Sequence, residues 1–66
     1  MTKATLDKLP EKVLRHIEQL RKDYKNPNLD NNICRRSSCE YVRGLMDAGL
    51  ITNQERQALF LYTTIK

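Results

Sequence analysis

Read for polarity alone, the chain opens with apolar residues at helical spacing. Leu6, Leu9, Val13, Ile17, Leu20 and Tyr24 follow one another at intervals of three or four. At about 100° per residue they form a stripe roughly 80° wide, and Leu14 widens it to roughly 140°. Lys8, Glu11, Lys12, Arg15, Gln19 and Lys22 occupy the opposite face. Glu11–Arg15 and Glu18–Lys22 are i,i+4 pairs in the favourable order, each adding a few tenths of a kcal/mol. The pattern predicts an amphipathic helix. Proline suits a first turn and disfavours a helix interior. Pro10 therefore places the main helix over residues 10–25, with residues 5–9 as a turn or short lead-in. The stretch "KNPNLDNN", residues 25–32, holds Pro27 and four asparagines and reads as a loop.

A second helix is expected to start between Asp30 and Ser38 and to end near Ala48. Asp30, Asn31 and Ser37 can each cap it. Val42, Leu45 and Met46 make its apolar face, with Ser38 or Cys39 one turn earlier. Gly44 inside it costs up to about 1 kcal/mol relative to alanine. Gly49 follows the last periodic residue and suits a left-handed position just past a helix end.

The third helix has the strongest start signal. "TNQE", residues 52–55, matches a capping box, with Thr52 as the cap and Glu55 three residues on. The helix is expected to run to the carboxyl end. Leu59, Tyr62 and Ile65/Lys66 share one side, Ala58 and Leu61 lie beside it, and Phe60 points more to the other. No strand alternation, repeat or low-complexity tract interrupts the pattern. The expected fold is all-α: one compact three-helix domain, its second and third helices forming a tight hairpin through "DAGLIT". The run "GLMDAGLITNQERQAL" resembles the turn of small helical-hairpin modules, a likeness that the cap chemistry of Gly49, Thr52 and Glu55 accounts for.

Size and charge narrow the function. A 66-residue chain buries only about 60% of its unfolded surface, so a partner or a second copy would help stabilise it. It leaves little room for a substrate pocket with a supporting shell. Twelve basic residues against eight acidic give a net charge of +4. The excess is spread: residues 1–30 carry seven basic and five acidic groups, residues 31–66 five and three, so each part is +2. There is no basic tail. The beginning, "MTKATLDKLPEK", lacks the apolar core of a secretory signal. The expectation is a cytoplasmic protein without membrane attachment, its thiols reduced.

The candidate chemistry concentrates in "ICRRSSCEYVRGL", residues 33–45. Cys34 and Cys39 have a zinc-like spacing, but a structural site needs four ligands and the chain adds only His16. On a helix the two cysteines stand about 140° apart and do not converge. A disulfide would require a non-helical segment. A cysteine nucleophile would need a histidine held by a third group, and His16 reads as a half-buried packing residue at the edge of the first stripe. Only two glycines are present, so there is no phosphate loop. No catalytic residue, metal or cofactor is expected.

Binding is the remaining reading. Arg35, Arg36 and Arg43 supply cations suited to carboxylates, phosphates or guanine. Arg56 and its neighbours Asn53, Gln54 and Gln57 invite a helix-turn-helix reading. Against it, the small residue common four positions before the turn glycine is here Leu45, and the apolar residue six after it is Glu55. Tyr41, Phe60 and Tyr62 cannot all enter one small core, and aromatic residues and arginine are favoured at interfaces. The expected binding residues are thus Arg35, Arg36, Tyr41, Arg43, Arg56 and Phe60. The leading expectation is a small non-enzymatic regulatory or inhibitory protein meeting a protein partner with an acidic surface, itself a candidate homodimer. The alternative is a nucleic-acid-binding regulator using a basic helix. In size and composition the chain resembles the small accessory regulators and inhibitors of bacteria, phages and plasmids.

Overall fold

The structure, a computed structural model, describes residues 2–65. Among these there are four helices and no strand: α1 Thr2–Asp7, α2 Glu11–Lys25, α3 Asn31–Asp47 and α4 Asn53–Thr63. The all-α expectation holds, with a correction in helix number. Residues 5–7 of the expected lead-in belong to α1, which begins earlier, at Thr2. The long apolar stripe is consequently split. Pro10 adopts an extended ψ of 152°, so Leu6 and Leu9 leave the axis of α2 and approach the core from another direction.

Local chemistry sets the other boundaries. Pro10 is the N-cap residue of α2, and its carbonyl accepts the first bond of that helix from Leu14 at 3.0 Å. Asp30 caps α3 by accepting from the amides of Asn32 at 2.8 Å and Ile33 at 3.4 Å. At the far end of α3, Gly49 sits at φ 78°. Its amide donates to the Met46 carbonyl at 2.9 Å, and the next amide, Leu50, reaches back to Leu45 at 3.0 Å. That closure needs a left-handed residue, which glycine adopts without steric cost. The capping box of α4 is complete: the Glu55 amide donates to Thr52 Oγ1 at 3.2 Å, and the Thr52 amide donates to Glu55 Oε1 at 2.8 Å. Thr63 ends α4 short of the chain end. Lys66, expected on the side of Leu59, lies outside the described residues.

Helices α2, α3 and α4 pack on one another compactly, and α1 lies against α4. Ile17, Val42 and Leu59 are fully buried at the centre, surrounded by Leu9, Leu45 and Ile51. The Cα radius of gyration, 11.1 Å, is close to the ~11 Å typical of a folded chain of this length. Ser38 is the anomaly in the core. It is fully buried between Cys34 and Val42 along α3, and its hydroxyl has no hydrogen-bond partner among the described residues. An unpaired buried hydroxyl is unfavourable, and alanine is the better helix former. Ser38→Ala is expected to stabilise the fold by about 1 kcal/mol, a rise in Tm of roughly 4–8 °C for a chain of this size. A thermal melt followed by circular dichroism checks this. A lowered Tm would mean that the hydroxyl is engaged after all.

Candidate interaction surface

Two polar clusters tie the helices together. The first joins α1 to α4. Thr5 Oγ1 donates to Glu55 Oε2 at 2.9 Å, and Lys8 Nζ donates to Glu55 Oε1 at 2.6 Å. The hydrogen bond from Lys8, and next the backbone bond from Thr52, hold the Glu55 carboxyl at about 2, well below its ordinary 4.5; the bond from Thr5 adds to the effect. Glu55 thus serves the start of α4 and the docking of α1 at once.

The second joins α2 to α4. The Arg21 guanidinium stands 4.1 Å over the Tyr62 ring, an attraction between cation and ring face. Arg21 Nη1 donates to the Tyr62 hydroxyl at 2.8 Å, and that hydroxyl donates to Glu18 Oε1 at 2.9 Å. Burial, and then the bond to Glu18, raise the Tyr62 phenol above its ordinary value.

The expected binding residues divide into two groups. Arg35, Arg36 and Arg43 are exposed on α3. Arg36 is partly neutralised by Glu40 at 3.4 Å, an exposed pair of little energetic weight. Arg35 and Arg43 make no ion pair among the described residues. Tyr41, Arg56 and Phe60 are half-buried. Tyr41 turns to α2 and stacks on His16, with ring centroids 3.9 Å apart and planes 29° apart; burial raises its phenol. His16, expected to be half-buried, is exposed, and this stack is its packing role. Arg56 is held by its own helix, with Nε and Nη2 donating to Asn53 Oδ1 at 3.1 and 2.9 Å. Phe60 packs against the core.

Helical geometry places these residues. Since Tyr41 faces α2, Arg35, about 120° further round α3, lies on the α4 side. Met46 shares that side and packs against the core. Arg35 and Arg43 therefore flank the outer surface that α3 shares with α4. On α4, Leu61 stands about 200° from the buried Leu59 and is 62% exposed. It was expected beside the packed side, yet the two-residue offset from Leu59 points it outward. Asn53, Gln54, Gln57 and Leu61 make the outward face of α4, with Ile65 just past its end; all are exposed and none is charged.

The remaining exposed large apolar residues are Leu29, Ile33 and Leu50. They, with Leu61 and Ile65, are all aliphatic; sequence reasoning had looked for aromatic ones. Leu29 and Ile33 flank a groove of about 260 Å³ between α2 and α3. Cys34 is buried beneath it and its thiol donates to the Asp23 carbonyl at 3.5 Å, while Cys39 is half-buried on another side of α3. Both thiols are free. No group of three or more metal-binding side chains forms among the described residues, and none of their helices is long and apolar enough to cross a membrane.

No protein family, curated protein or solved structure matches the chain. The surface itself carries the functional reading.

Proposed function

We propose that the protein is a small non-enzymatic regulator, of the kind that inhibits or tethers, whose α3 and α4 act as a tight helical hairpin docking onto an acidic protein surface. The observation that carries this reading is Leu61. It is a large aliphatic side chain, 62% exposed, in an uncharged strip whose neighbouring helix offers the unpaired Arg35 and Arg43. An exposed apolar residue with cations on the next helix suits the anatomy of a protein interface, where the core is depleted of charge and the rim is polar. The arginines favour a partner bearing carboxylates and speed the encounter. Nucleic acid is less well served, because Arg56 is engaged within its own helix and the outward face of α4 adds no cation.

Affinity capture with the whole chain as bait tests this. Expected is a stoichiometric protein partner that survives nuclease treatment, is retained by the wild type and is lost with Leu61→Asp and with Arg35→Glu/Arg43→Glu. An exposed Lys22→Glu change, on α2, should leave capture intact. Loss of all captured material on nuclease treatment would replace this reading by the nucleic-acid one. That reading also predicts binding that weakens steeply and log-linearly with salt.

A further inference from the structure

The helices on either side of α1 are finished without it. Among the described residues, no backbone hydrogen bond joins residues 2–9 to the rest of the chain. The last amides of this segment turn back on α1 itself, Lys8 donating to the Thr5 carbonyl at 3.4 Å and Leu9 to the Leu6 carbonyl at 3.1 Å. Beyond them α2 begins on its own, with the Pro10 carbonyl accepting from Leu14. Proline disfavours a helical conformation at the residue before it and has no amide to donate, so helix is interrupted at Leu9–Pro10. Helix α4 is likewise capped by its own Thr52 and Glu55.

Thr5 and Lys8 both reach across to one residue, Glu55, Thr5 to Oε2 and Lys8 to Oε1. Oε1 also accepts from the Thr52 amide. Glu55 therefore works as a latch with two sides, one for α1 and one for the cap of α4. When Thr5 and Lys8 let go, the Thr52 amide keeps its acceptor and Oε2 turns to water. Besides the latch, closure rests on Leu9, which is buried, and Leu6, which is partly buried against the core. The fully buried centre, Ile17, Val42 and Leu59, comes from α2, α3 and α4.

We infer that α1 is a strap that opens as one unit at neutral pH, by release from Glu55 and swinging about the Leu9–Pro10 joint, while α2, α3 and α4 stay folded. Segments that add few contacts to a fold open at a lower free energy than its core. The opening is all-or-none within the strap. A helix of six residues does not persist in water, so once Thr5 and Leu9 leave their seats nothing keeps the turns between them. The closed form covers Leu6 and Leu9. The open form bares them, together with the side of α4 next to Glu55.

Amide hydrogen exchange of the whole chain, read by NMR over a series of urea concentrations below the unfolding transition, tests this. The amides of Leu6, Asp7 and Leu9 are expected to share one opening equilibrium, at least about a hundredfold larger than that of the core amides of α2–α4. Its urea dependence should be shallower than theirs, because opening the strap exposes less surface than unfolding. Thr5→Val keeps the branched shape and discards the bond to Glu55, and it should raise the strap's opening about tenfold. Val42→Ala weakens the open and closed forms alike. It should speed core exchange at least about tenfold and leave the strap's opening unchanged. Circular dichroism confirms that both variants are folded. Three results overturn the proposal, and the first two need only the wild type. One is strap amides that match the core in protection and urea dependence. Another is protection that fades residue by residue from Leu9 to Leu6, which is fraying of an end. The third is a strap that Thr5→Val leaves unmoved.

Discussion

Leu59→Ala is expected to destabilise the fold by about 2–5 kcal/mol, while Leu61→Ala, two positions along, leaves stability almost unchanged. Leu59 is fully buried at the meeting point of the helices. Truncating a buried leucine costs the lost transfer energy plus the cavity left behind, typically about 2–5 kcal/mol. A 66-residue chain has roughly 3–10 kcal/mol of stability in total. The substitution therefore removes from about a fifth to all of it. Leu61, 62% exposed, is the same residue type on the same helix, and surface changes of this kind stay within about 0.5 kcal/mol. Urea denaturation of the two variants side by side checks the contrast. Equal midpoints would mean that α4 packs by a different face.

Acid is expected to release α1 from α4. The Glu55 carboxyl titrates at about 2 in the folded chain, against 4.5 ordinarily. A carboxyl with a depressed folded pKa stabilises the fold above its ordinary value, and that stabilisation disappears as pH falls toward the folded value. The loss accordingly falls between about pH 4.5 and about pH 2, and nothing is lost on going from pH 7 to pH 5. Of the groups that depress it, Lys8, Thr52 and Thr5, Lys8 and Thr5 belong to or follow directly on α1, so the loss is expected as loosening of that helix together with the cap of α4. Glu55→Gln keeps one acceptor oxygen, which can serve the Thr52 amide, and places an amide donor toward the Thr5 hydroxyl, but discards the charge. Its melting temperature should start lower at neutral pH and fall less steeply through this window than the wild type's. Parallel slopes would show that other carboxylates govern the acid limb.

The sequence disclosed those boundaries whose chemistry is local. Asp30, Gly49, Thr52 and Glu55 each act on amides or carbonyls within five residues, and such signals can be read from spacing alone. Helix α1 could not be read that way. Six residues are too few to hold a helix in water by themselves. It is held by Thr5 and Leu9 settling against the rest of the fold, and Thr5's partner is 50 residues away. The leucines preceding Pro10 also kept the rhythm of α2, and that continuity masked the change of direction. On the surface, the exposure of Arg35, Arg36 and Arg43 followed from helix spacing. The role of His16 as a stacking partner for Tyr41 did not, because it depends on how two helices are aligned. Leu61 was legible in principle: its offset from Leu59 directs it away from the core, but the general apolarity of that helix drew attention to the wrong side.

The bond from Thr5 to Glu55 has a consequence for synthesis. At about 5–20 residues per second, a ribosome that has made Thr5 needs roughly 3–10 s more to make its partner. Throughout that interval Leu6 and Leu9 have no helix α4 to lie against. The segment holding Leu6 and Leu9 is thus made well before the helix it lies against, and it stays uncovered by α4 until that helix has been made.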